Sequence, residues 1–132
     1  MAWGTGTPRG SGQSKTAETG FEINPANPIP VGEVLVVIVA KDNTSTVNGD
    51  NSEVISVRAN IGAGGGSFIL NLTKGVEFTN AQGGVGFGST VSIWFGKVTT
   101  QIETTNFIRA EFSASTAAKM LTTASFTIAS GN

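Results

Sequence analysis

From Phe21 onward, apolar and polar residues alternate with a period of two through most of the chain. Successive side chains of a strand point to opposite faces, so this period predicts β-structure. Residues 33–40 (EVLVVIVA) are apolar on both faces and predict a central strand. Residues 53–59 (EVISVRA) set Ile55, Val57 and Ala59 on one face, Ser56 and Arg58 on the other. In residues 67–72 (SFILNL), Phe68, Leu70 and Leu72 are in step, and Val76 and Phe78 continue after the turn at Lys74-Gly75. Residues 90–98 (TVSIWFGKV) set Val91, Ile93 and Phe95 in phase with the core, with Ser92, Trp94 and Gly96 opposite. Residues 107–114 point Ile108, Ala110, Phe112 and Ala114 inward and Arg109, Glu111 and Ser113 outward. The last run, residues 119–129, sets Met120, Ala124, Phe126 and Ile128 on one face. Leu121, Thr123, Ser125 and Thr127 share the other, and its threonines suit a pleated, solvated surface.

Seven to eight closely spaced strands with Gly, Asn and Asp between them predict an all-β fold. The expected architecture is an antiparallel β-sandwich, jelly-roll or Ig-like. No segment offers the crossover helix that a parallel sheet needs. Glycine gathers in residues 61–67 (IGAGGGS) and 81–88 (AQGGVGFG). A phosphate-binding glycine loop needs a following helix, and strands are predicted after both, so these read as hairpin loops or bulges.

Residues 1–20 differ from the rest. Gly4, Gly6, Gly10, Gly12 and Gly20 space them, Pro8 interrupts them, and little in them is apolar. They read as a flexible Gly/Ser/Thr-rich N-terminal arm leading into one sandwich domain over residues 21–132. Met1 and Trp3 give the arm an anchor for ordering on a neighbouring subunit.

Composition narrows the chemistry. Charged residues make up 13% of the 132 residues, about half the usual share, and the net charge is −1. No basic field exists to hold nucleic acid or an anionic membrane. The chain has no cysteine, histidine or tyrosine. Disulfides, thiolate chemistry and the commonest general base are thereby excluded. No run reaches the length of a membrane span, and residues 1–20 contain no apolar signal core, so cytoplasmic synthesis is expected.

Candidate sites are few. The loop from Asp42 to Asn51 (DNTSTVNGDN) carries Asp42, Asn43, Asn48 and Asp50, with Glu53 beyond it. Calcium needs six to eight converging oxygens, and the spacing departs from the EF-hand, with Thr44 and Thr46 at its third and fifth positions. Asn48-Gly49 is a strong turn dipeptide, so the loop reads first as a turn. Glu103 and Glu111 on neighbouring strands, joined by Glu22 or Glu33, could suggest a carboxylate pair for glycoside hydrolysis, yet outward acids on strands are ordinary solubilising groups. Trp94 lies out of phase with Ile93 and either packs a second small core or meets a partner. No catalytic, cofactor or metal residues are assigned, and no cofactor is expected.

The order VGEVLVVIVAKDNTST, an acidic-amide loop, EVISV, a glycine-rich region, EFTNAQGG, STVSIWFGKVTT and a final Thr-rich strand resembles small β-sandwich structural proteins of tailed bacteriophages. Ser92, Trp94, Phe95, Lys97, Thr99 and Thr100 fill the pattern of an aromatic strand with Lys and Thr-Thr behind it. The stretch RANIGAGGGSFILNL departs from the short turn expected after EVISV. The resemblance implies a non-enzymatic virion component, foremost a capsid decoration (cement) protein binding the assembled shell. A tail or fibre-base component, or a carbohydrate-binding adhesin module, is the alternative. It further implies the major capsid protein or another virion protein as partner, a homo-oligomer with a trimer as first guess, and a virion location after synthesis in the host bacterial cytoplasm. Met1, Trp3, Arg9 and Trp94 are the expected partner contacts.

Overall fold

The computed structural model describes residues 3–128, and of Trp3 the backbone alone. It holds nine strands among these residues: β1 (Trp3–Ser14), β2 (Glu18–Ile23), β3 (Val34–Asp42), β4 (Val54–Asn60), β5 (Phe68–Asn71), β6 (Thr73–Asn80), β7 (Ser89–Lys97), β8 (Phe107–Thr116) and β9 (Lys119–Ile128). They form two antiparallel sheets, ordered β1-β9-β3-β7-β6 and β2-β8-β4-β5. The chain is all-β, as the period-two pattern predicts.

β3 is the middle strand of the larger sheet, pairing with β7 through Val34↔Lys97 to Asp42↔Ser89 and with β9 through Val34↔Phe126 to Lys41↔Lys119. The core lies between the sheets. Leu35, Val37, Val39, Trp94 and Leu121 from the larger sheet meet Val54, Val57, Ala59, Ile108, Ala110 and Phe112 from the smaller. Burial of such side chains supplies the main drive to fold, at roughly 1.5–3 kcal/mol for each large one.

Three expectations are corrected. The segment read as a flexible arm is strand β1 from Trp3 to Ser14, paired along β9 of its own chain from Trp3↔Ile128 to Ser14↔Lys119. Its backbone groups gain ladder partners there, which offsets the entropy of ordering a glycine-rich segment. Gly6 suits this place because a Cβ on it would lie 2.5 Å from the Phe126 ring.

The phase of β7 and β9 is reversed. Thr90, Ser92 and Trp94 are buried, while Val91, Ile93 and Phe95 are exposed. In β9, Leu121, Thr123 and Ser125 are buried, and Met120 is exposed. The inner hydroxyls have charged neighbours to satisfy. Thr90 Oγ1 donates to Glu53 Oε2 at 2.8 Å, and Ser125 Oγ donates to Glu33 Oε2 at 2.5 Å. Apolar side chains at those positions would leave buried carboxylates short of donors.

Smaller reversals have local causes. Ile55 is exposed, because a register shift between Val54 and Ser56 inserts one residue and moves it to the outside. Ala114 is exposed where β8 runs past the core. Phe68 and Phe78 also face outward.

Candidate functional site

The outer face of the five-stranded sheet is apolar. Three cross-strand rows build it. Ala124, Val36 and Phe95 lie side by side across β9, β3 and β7. Thr122, Ile38, Ile93 and Val76 form the second row, and Met120, Ala40, Val91 and Phe78 the third. Ile38 is 38% exposed, Phe95 43%, Val76 53% and Phe78 57%. Among the described strands, charged side chains reach this face only near its ends, at Asp42 and Lys97, with Lys74 beside the β6 bulge.

A glycine near the edge extends the pattern. Gly6, Pro8, Val36, Ile38, Thr122 and Ala124 line a shallow groove of about 420 Å³ over β1, β9 and β3. Small residues make the hollow, and larger side chains of β6 and β7 stand beside it. Such a face is unusual, since monomers rarely leave large contiguous apolar patches in water.

The other sheet is its opposite in character. Its outer face carries a ladder of charge, with Arg109 Nε 2.5 Å from Glu111 Oε1 and Arg109 Nη1 3.3 Å from Glu22 Oε2. Arg58 adds a looser pair to Glu111 at 4.0 Å. Such a face is at ease in water.

The acidic-amide loop is folded inward on itself. Glu53 is 1% exposed and lies within 2.5 Å of Lys41 Nζ. Its carboxylate accepts the backbone N–H groups of Thr44 and Ser45 and the hydroxyls of Thr79 and Thr90. Burial alone would raise its pKa, but the Lys41 hydrogen bond and these donors outweigh burial and hold it at about 2. Glu77, also buried, accepts the backbone N–H groups of Glu53 and Val54 at 2.6 and 3.0 Å. Asn43 bridges to the second glycine loop, donating to Gly84 O at 2.8 Å and accepting from Gly88 N at 2.8 Å. Asn48 Oδ1 accepts from Ala81 N, and Asp50 accepts from Ser52 N and from Lys74. Gly49 takes a φ of 111° and exchanges two backbone hydrogen bonds with Thr79. The oxygens of Asn43, Asn48, Asp50 and Glu53 are thus turned to separate donors. Among the described residues no three acidic groups gather to hold a metal ion.

Of the four expected partner contacts, Arg9 and Trp94 are buried. Met1 lies outside the described residues. Trp3 begins β1 opposite Ile128. Arg9 is buried, its guanidinium shared by Ser125 Oγ at 2.6 Å, Pro28 O at 2.9 Å and Glu33 Oε2 at 2.8 Å. Trp94 is 6% exposed in the core, and its Nε1–H donates to Ser92 Oγ. Neither Arg9 nor Trp94 offers a free tip to a partner. The residues that do are Ile38, Ile93, Phe95, Val76 and Phe78. One signal for them was present: β3 is apolar on both faces, and a strand of a two-layer fold has only one core to face.

The chain matches no protein-family model, no curated protein and no solved structure.

Proposed function

We propose that this chain is a non-enzymatic structural protein of a bacteriophage virion, of the capsid decoration type, which binds an assembled shell by surface contact. The observation that carries the reading is the uncharged apolar outer face of the five-stranded sheet. That face answers the need of a lattice protein. It removes apolar area from water on docking and demands no chemistry from the side chains.

Two further observations support it. The buried titratable groups Arg9, Lys41, Glu53, Glu77 and Lys119 hold loops and strands together, and none is more than 7% exposed. The strand orders β1-β9-β3-β7 and β2-β8-β4-β5 follow the jelly-roll scheme, with β6 added at one edge. Jelly rolls serve in viral shells and in lectins, which is support by analogy of fold. A tail or fibre-base role would use the same face on a different part of the particle.

The test is co-sedimentation of the full chain with particles of the phage that encodes it. The wild-type chain should travel with the particles. Ile93→Lys and Phe95→Lys should leave it in the supernatant while its melting temperature holds. Equal binding by wild type and both variants would remove this face from the role, and a wild-type chain found only in the supernatant would overturn the virion reading.

A further inference from the structure

We infer that, in free solution, the outer face of the five-stranded sheet packs against the same face of a second copy of this chain, a contact exchanged for the shell when the chain docks. The inference rests on the proposed reading of that face as a contact surface and names its occupant.

Chemistry selects the occupant first. A partner bearing charge would bury it without a counter-charge, at a cost of several kcal/mol. The partner must therefore be uncharged over a similar area. The chain's own four-stranded sheet does not qualify, since Glu22, Arg58, Arg109 and Glu111 cover its outside. The five-stranded face qualifies as its own partner.

Shape agrees. One half of the face is raised, with Val76 and Phe78 on β6 and Ile93 and Phe95 on β7 all exposed. The other half holds the groove of about 420 Å³, lined by Gly6, Pro8, Thr122, Ala124 and Phe126, with Met120 exposed on β9 beyond it. β3 separates the halves. A two-fold axis lying between the sheets and running along β3 carries each raised half onto the partner's groove. Such an isologous fit needs only one self-complementary surface. Ile38, paired with Ile93 on one side and Thr122 on the other, sits nearest that axis. Asp42 and Lys97 stay near the ends of the contact.

Area is sufficient. By ordinary strand spacing the face is about 24 Å wide and about 20 Å along the strands. Two copies together then cover on the order of 1,000 Å², the level at which specific interfaces begin. Stacked sheets approach to about 10 Å, a distance these side chains can fill.

Sedimentation equilibrium of the full chain tests this. Wild type should weigh about twice 13.5 kDa. Ile38→Lys and Thr122→Arg should each weaken self-association by about a hundredfold, because each buries an unpaired charge, the first at the axis and the second in the groove under the partner's β7. Ile55→Lys, on the exposed outside of the other sheet, should stay dimeric. Circular dichroism melting confirms that each variant folds. The chain has no cysteine, so Ile38→Cys with a short bis-maleimide gives a second readout. It should yield covalent dimers, and Ile55→Cys should not. A monomeric or trimeric wild type, or a mass unmoved by Ile38→Lys and Thr122→Arg, overturns the pairing. If the pairing fails while Ile93→Lys still abolishes particle binding, the face docks on another shell protein and the proposed function stands. If the dimer forms and particles are not bound, the pairing stands and the proposed function falls.

Discussion

Lys41 Nζ lies 2.5 Å from Glu53 Oε2, and the two side chains are 0% and 2% exposed. This pair joins β3 to the start of β4 and closes the loop between them. Its members depend on each other, since either one alone would be a buried charge without a partner. Glu53→Gln should therefore destabilise the fold by about 3–5 kcal/mol. Urea unfolding should show a lower midpoint with an unchanged slope. The double variant Lys41→Met/Glu53→Gln should recover part of the loss, because the stranded ammonium is gone.

Acid should act through the same carboxylate. Glu53 is held at about 2 in the folded protein, below its ordinary value of 4.5. The folded state thus binds fewer protons than the unfolded state between these values. The contribution to stability is complete above about pH 4.5 and disappears as pH falls toward 2. It amounts to on the order of 3 kcal/mol. Melting temperatures of the wild type should drop across that window, and those of Lys41→Met/Glu53→Gln should drop less.

Arg9 ties β1 to the rest of the sandwich. Its guanidinium reaches Glu33, Asn27 and Ser125 at 2.5 to 2.8 Å. Arg9→Leu removes these bonds and leaves the Glu33 carboxylate with Ser125 alone. The expected loss is about 3 kcal/mol. Hydrogen exchange should show β1 amides exchanging faster than those of β3. In the wild type the β1 amides should be protected, which a free arm would not show.

Two glycines of the second glycine loop should respond differently to alanine. A Cβ on Gly88 would lie 1.7 Å from the Asn80 carbonyl oxygen, which is backbone and cannot swing aside. Gly86 takes a φ of 78° but has open space around it. Gly88→Ala should cost about 3 kcal/mol or more, and Gly86→Ala about 1 kcal/mol. Thermal unfolding should rank them in that order, and a reversed order would show the Asn80 contact to be relaxed.

Much of the fold was legible along the chain. Every long period-two run became a strand, and the run apolar on both faces became the centre of the larger sheet. The expected turn at Asn48-Gly49 is instead a bend ending in a bridge of Gly49 to Thr79, where glycine tolerates the φ of 111° without strain. The exposed apolar face was legible only in part. Alternation divides a strand into two faces but does not say which one meets the core. In β7 the aliphatic face looked like the inner one, yet Thr90, Ser92 and Trp94 hold that position.

Local pattern therefore determined that this protein is built of antiparallel strands and where most of them run after residue 20, but not that Trp3–Ser14 forms one. Side-chain period and turn propensity act over a few residues, so one stretch suffices to read them. Tertiary structure alone decided which face turned inward. Lys41, Glu53, Glu33 and Arg9 come from distant segments, and their charges can be buried only where neighbouring strands supply donors and counter-charges. Thr90 of β7 and Ser125 of β9 serve that need from the inside, at Glu53 and Glu33, with Ile93 and Phe95 then on the outer face of β7.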